Sequence, residues 1–296
     1  MVTGPKRLIA LAVVAVIVFW ATPPATTQQR SAAAQRIVSL VPALTEMLFA
    51  IGAGPQVVAV SSYDEFPPDV KSLPRVGALL DPDMERILAL RPDLVVSYGS
   101  QTDMQAQLAR AKIRVFSYRH AGLKGVFATL KDLGEAVGRT ADSERLSREI
   151  RSGLDAIHAR VRGRPAPRTL LVFERDPESL RGVYVSGGVG FLHDMLGIAG
   201  GVNVFADVAR ESVQPSVETM LARAPEFILE VRATGLLAAA ADVTQAKRVW
   251  GALASVPAVQ RGHIQILTGD HLVVPGPRVV QGTEAFARAL HPDAFK

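Results

Sequence analysis

The sequence has 296 residues and no cysteine, and this absence excludes several kinds of chemistry. Without thiols there is no disulfide bond, no thiolate nucleophile and no thioether-linked lipid anchor. The sequence also contains no Walker A loop, no G-x-S-x-G elbow and no H-E-x-x-H motif. Glu174 with Asp176 resembles a catalytic carboxylate pair, but turn chemistry after a strand explains these two acids more simply. We therefore predict that the protein is not an enzyme.

The chain also lacks a clustered stripe of basic residues. Its net charge is +5 and its pI is near 9.7, but lysines and arginines are interleaved with acids along the sequence. This pattern is typical of a solvated charged surface, so nucleic acid is not an expected partner. A hydrophobic content of 48% is typical of a globular protein with one or two cores.

One apolar run lies near the N-terminus, and it is short for a membrane-spanning helix. The run LIALAVVAVIVFWA has 14 residues, follows Lys6 and Arg7, and is followed by polar residues. These features predict a signal peptide over residues 1–34, cut after Ala34, and hence a periplasmic protein. The alternative is an uncleaved inner-membrane anchor, and the less favoured hypothesis of a membrane-anchored sensor domain depends on it.

After Arg36, short β-type runs alternate with helical patterns, which predicts an α/β fold with mostly parallel sheets. The runs fall into two groups, with RIVSL, QVVAV, DLVVS and IRVFS in the first and TLLVF, FILEV and IQILT in the second. Two groups predict two α/β lobes, an N-terminal lobe over residues 35–120 and a C-terminal lobe over residues 165–296. Residues 121–164 form the predicted connector.

The connector has no strand pattern, and its second half has the pattern of one long helix. From near Thr140, apolar residues recur every three or four positions, which places them on one helical face. They are Leu146, Ile150, Leu154, Ile157 and Val161. At 1.5 Å per residue, about 21 residues span roughly 30 Å, so we predict a stiff helix that joins the two lobes.

Nearly the same phrase occurs twice, as DMERILALRPDLVV at residues 83–96 and SVETMLARAPEFIL at residues 216–229. Each copy predicts a short helix followed by a strand, with a proline in the first turn and a second proline at the helix end. These prolines are Pro82, Pro92, Pro215 and Pro225, and the predicted buried stripes are Met84, Ile87, Leu88 and Val217, Met220, Leu221. Glu85 and Glu218 lie off the stripes, in the first turn, where the helix dipole favours a carboxylate. Support of the helix alone is the simplest explanation of these acids.

Five stretches together resemble a known family. They are RIVSLVPALTEMLFAIGAG, VVAVSSYDEFPPDVKSLPRVG, DMERILALRPDLVV, VYVSGGVGFLHDMLGIAGGVNVF and SVETMLARAPEFIL. They resemble the periplasmic solute-binding proteins of ABC importers for cobalamin, haem and ferric siderophores, and most of all the cobalamin-binding members. The likeness covers almost everything after Arg36, and it implies two α/β lobes joined by one long helix.

The resemblance also implies a partner. In this family one glutamate on each lobe docks onto arginines of two identical permease subunits, and Glu85 and Glu218 match those positions. A permease dimer with twofold symmetry presents the same charged socket twice, so each lobe needs one acid. The expected carrier is a monomer that delivers its cargo to an ABC permease.

Ligands of open parallel sheets bind beyond the carboxyl ends of the strands. The side chains predicted there include all four tyrosines of the chain, and a rim of tyrosines suits a large ligand that is partly apolar. The predicted ligand-binding residues are Tyr63, Tyr98, Tyr118, Arg119, His120, Tyr184, Arg232 and His271. Glu174, Arg175 and Asp270 also follow predicted strands. By the resemblance, Tyr63, Tyr98 and Tyr184 stand where aromatic rings pack on a corrin.

The expected cargo is a small-molecule metal chelate, most of all cobalamin or a related corrinoid, and no resident cofactor is expected. The sequence has Leu79 or Leu80, and Gln214, where the cobalamin-binding members have tryptophans. Haem ligated by Tyr or His, or an anionic siderophore held by Arg119, Arg175 and Arg232, is therefore the alternative cargo. His120 and His271 are single residues without metal-ligand spacing, so no protein metal site is predicted.

Overall fold

The computed structural model describes Met1, residues 33–234 and residues 243–296. The predicted signal peptide therefore lies outside the described residues, apart from Met1 and its last two positions. Ala34 is fully buried, its N–H donates to the carbonyl oxygen of Ala136 at 3.0 Å, and its own carbonyl accepts from Gln56 Nε2 at 2.8 Å. A cut after Ala34 would remove these contacts, and the cleavage position stays a prediction.

The first sheet is parallel and has the strand order β2-β1-β3-β4. Its strands are β1 (Ile37–Ser39), β2 (Val57–Val60), β3 (Leu94–Tyr98) and β4 (Arg114–Tyr118), and the connecting helices are α1 (Pro42–Ala50), α2 (Met84–Ala89) and α3 (Thr102–Arg110). Strands β1 to β3 are rich in valine and mostly buried, as expected for parallel strands covered on both faces. The four strands predicted for the N-terminal lobe are confirmed.

The second sheet is mixed, with the order β10-β9-β5-β6-β8 and with β7 beside β5. Its strands are β5 (Arg168–Glu174), β6 (Tyr184–Ser186), β7 (Val202–Asn203), β8 (Ser212–Val213), β9 (Phe227–Arg232) and β10 (Ile264–Thr268). The predicted strands β5, β9 and β10 are confirmed and run parallel to one another. The sequence analysis missed β6, β7 and β8, because segments of two or three residues carry no periodic pattern. Strand β6 is antiparallel to both of its neighbours.

The helices of this second half are α6 (Phe191–Ile198), α7 (Val217–Arg223), α8 (Val243–Val249), α9 (Pro257–Gln260) and α10 (Val279–Leu290). The two sheets define the N-terminal and C-terminal lobes, and the described residues from 33 onward belong to one compact unit. The lobe boundaries given above stay predictions.

Two helices connect the sheets, α4 (Leu123–Val137) and α5 (Thr140–Val161). Gly138 ends α4 with φ of 73°, a left-handed conformation that glycine adopts readily at helix ends. The predicted long helix is confirmed as α5, in which Ile150, Leu154, Ile157 and Val161 are buried. None of the described helices is both long enough and apolar enough to cross a membrane.

A side chain of the C-terminal lobe holds the start of α4. Asp194 of α6 accepts a hydrogen bond from the backbone N–H of Leu123 at 2.7 Å. A Cβ atom at Gly122 would lie 2.3 Å from Asp194 Oδ2, so the glycine allows this close approach. The carboxylate satisfies one of the free N–H groups at the helix N-terminus and suits its dipole. The connector is therefore tied to the C-terminal lobe at the first residue of α4.

The repeated phrase forms two similar helices, α2 and α7. Asp83 caps α2 by accepting from the N–H of Arg86, and Ser216 caps α7 by accepting from the N–H of Thr219. The prolines Pro82 and Pro215 precede these caps, so their predicted place in the first turn is wrong by two positions.

The predicted buried stripes of the two helices are also only partly correct. Ile87 and Met220 are buried, whereas Leu88 and Val217 are 41% and 38% exposed. Each helix has only six or seven residues, so it covers its sheet with little more than one side chain.

The substitution Leu154→Pro in the middle of α5 should destabilise the protein severely. Proline removes a backbone hydrogen bond and clashes with the preceding turn, which costs about 3 kcal/mol or more, and the buried leucine is lost as well. Urea unfolding of Leu154→Pro, of Leu154→Ala and of the exposed control Ser152→Ala separates the backbone effect from the packing effect. A midpoint for Leu154→Pro close to that of the wild type would contradict a continuous packed helix.

Candidate ligand-binding cleft

Three adjoining cavities of about 480, 360 and 220 Å³ lie at the carboxyl ends of the strands and share Val273 as a lining residue. We call them together the cleft. The largest of these three cavities is lined from both lobes, by Pro42, Glu46, Ser62, Tyr63, Glu65 and Phe66 of the first and by Ala233, Asp270, Val273, Val274 and Arg278 of the second. The cleft therefore lies where the sheet geometry predicts a ligand.

The loop after β2 carries two exposed aromatic rings into the largest cavity. Tyr63 is 67% exposed and Phe66 is 40% exposed. The fully buried Asp64 holds this loop, because its Oδ2 accepts from the N–H of Ser61 at 2.9 Å and from Ser61 Oγ. Arg75 NH1 also donates to the carbonyl oxygen of Ser61 at 2.8 Å. Exposed aromatic rings on an anchored loop form a ready-made stacking surface.

An ion pair between the lobes forms the floor of the same cavity. Arg278, just before α10, donates from Nε to Glu46 Oε2 of α1 at 2.9 Å and from NH2 to Glu46 Oε1. Its guanidinium also lies 4.0 Å from the centre of the Phe66 ring. Burial raises the pKa of Glu46, and the hydrogen bonds from Arg278 oppose this rise. Neither partner was predicted from the sequence, since residues so far apart give no local pattern.

A second buried ion network lies beneath the middle cavity. Glu230 of β9 is 2% exposed and accepts from Arg175 Nε at 3.1 Å, from Arg232 Nε at 2.7 Å and from Trp250 Nε1 at 2.9 Å. Arg175 also donates to the carbonyl oxygens of Asp176, Pro177 and Ala246. Sequence reasoning missed Glu230, although a glutamate inside the apolar run FILEV is itself a signal, because a buried carboxylate needs charged or hydrogen-bonding partners.

Three predicted ligand-binding residues form one aromatic cluster at the ends of β3 and β4. The ring centres of Tyr98 and Tyr118 are 5.8 Å apart, and His120 lies 5.6 Å from Tyr98 and 5.2 Å from Tyr118. Tyr118 is only 3% exposed, so it lies beneath the rim, whereas His120 lines the smallest cavity. Burial raises the pKa of Tyr98 and Tyr118 and lowers that of His120. The cluster is therefore neutral at pH 7.

The structure places the remaining predicted residues in different surroundings. Tyr184 begins β6 with its ring centre 6.3 Å from that of Phe173, which lines two of the cavities. Arg232 lines the middle cavity but is 8% exposed and paired with Glu230, and Arg119 is exposed beside Gly99. His271 lies in a short 3-10 turn, where burial and the charge of Arg278 lower its pKa. The role of all eight residues in binding stays a prediction.

The described residues contain no group of three or more His, Asp or Glu side chains that could hold a metal ion. The protein supplies aromatic faces, a few carboxylates and three arginines.

Glu85 and Glu218 lie away from the cleft cavities, one on each lobe. Both are exposed in the first turns of α2 and α7. The pKa of Glu218 is lowered by a hydrogen bond from the backbone N–H of Glu218 and, to a smaller extent, by one from the Ser216 hydroxyl. The structure thus gives the two acids the same local position on two separate helices.

The model of the family described as periplasmic binding protein matches residues 37–270. The chain therefore belongs to the periplasmic binding protein family, as the resemblance predicted. It is 29% identical over 260 residues to a vitamin B12-binding protein of Salmonella typhimurium, covering 87% of this chain and 91% of the relative. It is 28% identical over 270 residues to an uncharacterized ABC transporter substrate-binding lipoprotein of Bacillus subtilis, covering 88% of this chain and 82% of the relative.

A solved periplasmic heme binding protein of Pseudomonas aeruginosa has the same fold. It aligns with a TM-score of 0.74 and 27% identity, covering 88% of this chain and 93% of that protein. The named relatives are solute-binding proteins, which agrees at the family level with the prediction that the protein is not an enzyme. They also support an ABC transporter and a small-molecule ligand as partners.

The substitution Asp64→Asn should change how stability depends on pH. Burial raises the pKa of the folded Asp64 above its usual value of 3.8, so the folded protein keeps a proton that the unfolded chain loses. The contribution of Asp64 to stability therefore grows as pH falls toward the usual value of 3.8, and it shrinks as pH rises through the raised pKa of the folded protein. Since asparagine does not titrate, the difference in free energy of unfolding between wild type and variant should shift in favour of the wild type at low pH.

Urea unfolding at several pH values measures this difference, and Asp69→Asn, an exposed acid in the same segment, provides the baseline. A difference that stays constant with pH would contradict the raised pKa of the buried Asp64.

Proposed function

We propose that the protein captures a metal chelate in the periplasm, most of all cobalamin or a related corrinoid, and delivers it to an ABC importer. The observation that carries this proposal is the cleft between the lobes, with Tyr63 and Phe66 exposed on its wall. A flat macrocycle larger than any single cavity suits three cavities in a row, and aromatic faces suit its apolar surface. The vitamin B12-binding relatives support the same cargo.

Haem is the second candidate, and one observation favours it. Tyr98, Tyr118 and His120 form a neutral cluster at the cleft, and phenol or imidazole groups are the side chains that ligate ferric haem. The heme-binding relative has the same fold. The absorption spectrum of protein purified from its native periplasm distinguishes the two cargoes, because corrinoids and haem absorb differently in the visible range.

We also propose that Glu85 and Glu218 dock the carrier onto two identical permease subunits. One exposed acid on each lobe matches a partner with twofold symmetry, which presents the same cationic socket twice. Both acids lie at the start of a capped helix, and exposed apolar residues accompany them, Leu88 on α2 and Val217 on α7. A mixed patch of this kind suits a protein surface better than a small ligand.

Alanine substitutions of Tyr63, Tyr98 and Tyr184 should each weaken the binding of cyanocobalamin by about 1 to 3 kcal/mol, from lost apolar area and lost aromatic contact. Isothermal titration calorimetry measures the effect. Tyr63→Phe should retain most of the affinity, because the ring remains. Phe295→Ala, at a ring that the Arg160 and Arg288 guanidiniums cover, is the control outside the cleft. Unchanged affinity in all three alanine variants would contradict the proposal that cyanocobalamin binds in the cleft.

The double variant Glu85→Ala/Glu218→Ala should bind cyanocobalamin like the wild type but support little uptake. Truncating a partly desolvated partner of an arginine costs about 2 to 5 kcal/mol of complex stability, whereas an exposed pair mainly affects the association rate. Calorimetry of the free protein and uptake into vesicles that carry the importer measure the two effects separately. The matched control is Asp103→Ala/Glu178→Ala, which removes two exposed acids elsewhere. Normal uptake with the Glu85→Ala/Glu218→Ala variant would contradict the docking role and would leave both acids with the role of supporting their helices.

A further inference from the structure

The charge of the cleft is opposite to that of the whole chain. The chain has a net charge of +5, but the described residues that line the three cavities include twice as many carboxylates as guanidiniums. The carboxylates are Glu46, Glu65, Glu174, Glu211, Glu230 and Asp270, and the guanidiniums are Arg175, Arg232 and Arg278. A ligand in the cleft therefore meets an excess of negative charge.

All three arginines are already paired with carboxylates of the protein. Arg278 is held by Glu46 through two hydrogen bonds, and Arg175 and Arg232 share Glu230. The side chains of Arg175 and Arg232 are 1% and 8% exposed. An anionic ligand would have to draw an arginine away from a buried carboxylate, and that carboxylate would then lose its partner. The arginines are therefore poor sites for anion capture.

The other four carboxylates face the cleft without a cation. Among the ion pairs seen in the described part of the chain, none involves Glu65, Glu174, Glu211 or Asp270. The first three are exposed. Asp270 Oδ1 accepts the backbone N–H of Thr234 at 2.7 Å, which leaves its charge in place.

The histidines add little positive charge. Burial lowers the pKa of His120 and of His271, so both are neutral at pH 7. Arg119 is exposed and lines none of the three cavities. The unpaired acids therefore set the electrostatic character of the cleft.

We infer that the cleft selects a chelate of neutral or positive net charge and rejects chelates that carry carboxylates or other anionic groups. The reason is that four unpaired carboxylates repel an anion, while the three guanidiniums are held by Glu46 and Glu230 and keep only one net positive charge between them. This inference rests on the proposed function, because it assumes that the cleft holds a metal chelate. It disfavours an anionic siderophore held by arginines. It favours a chelate whose peripheral groups are amides or esters over a chelate whose peripheral groups are acids.

Matched pairs of probes test the inference, since the members of each pair share the same metal chelate and differ in whether peripheral groups are acids. The first pair is cyanocobalamin and its monocarboxylic acid, in which one side-chain amide is replaced by a carboxylate. The second pair is ferric protoporphyrin dimethyl ester and ferric protoporphyrin with two free propionates. Binding is measured by quenching of tryptophan fluorescence at low and high salt. For each pair that binds, the amide or ester probe should bind about tenfold more tightly than its acid partner at low salt, and added salt should narrow this difference in affinity.

The variant Glu65→Gln/Glu211→Gln should narrow the difference in affinity between the two members of each pair, even without added salt. Glu178→Gln, which removes an exposed acid outside the cleft, should leave the difference unchanged. An acid probe that binds as tightly as its amide or ester partner would overturn the inference. The proposal that the cleft binds a metal chelate would still stand. If no probe of either pair binds to folded protein, the proposed function fails, and the inference fails with it.

Discussion

The ion pair between Glu46 and Arg278 joins positions 232 residues apart in the sequence, and the largest cavity of the cleft is built around it. The charges are buried, so their desolvation cost has to be offset by geometry, and the two parallel hydrogen bonds provide it. A Cβ atom at Gly276 would lie 3.1 Å from Glu46 Oε2, so the turn before α10 approaches α1 closely. These contacts place the loop with Tyr63 and Phe66 opposite the turn that carries Asp270 and Val274.

The network around Glu230 follows the same physical principle and has a consequence for recognition. A carboxylate in the centre of a parallel strand is stable only with its partners, and here two arginines and one indole provide them. Those arginines are then no longer available to a ligand. Aromatic rings and unpaired acids remain at the surface of the cleft. The cleft therefore selects a ligand by the shape of the ligand and by its lack of negative charge.

The family supplies the scaffold, and individual side chains decide what it carries. Relatives named for vitamin B12 and for heme share this fold, so the fold alone does not choose between those cargoes. In this chain the repeated sequence places an exposed glutamate at the same helical position on each lobe, and both helices begin with a polar cap one residue before the first turn. Glu85 and Glu218 therefore lie outside the cleft, and under the proposed function docking and ligand binding should be separable by mutation.

Local patterns in the sequence determined most of the fold, because hydrophobic periodicity is a local property. The strands IVS, VVAV, LVVSY and RVFSY and the long helix α5 follow from it directly. The short strands β6, β7 and β8 do not, because their pairing and not their composition makes them strands. Leu88 and Val217 were assigned to buried stripes, but a helix of six or seven residues contacts its sheet through fewer positions than a long one.

The site divides in the same way. The rule that ligands bind at the carboxyl ends of parallel strands predicted Tyr63, His120 and Arg232 as cleft residues, and all three line its cavities. Only the tertiary structure decided that Tyr118 is buried and that Arg232 is paired with Glu230. Likewise, only the structure joined Glu46 to Arg278. The physical reason is that side-chain pairing depends on distances between remote segments, and these distances exist only after the two lobes have packed together.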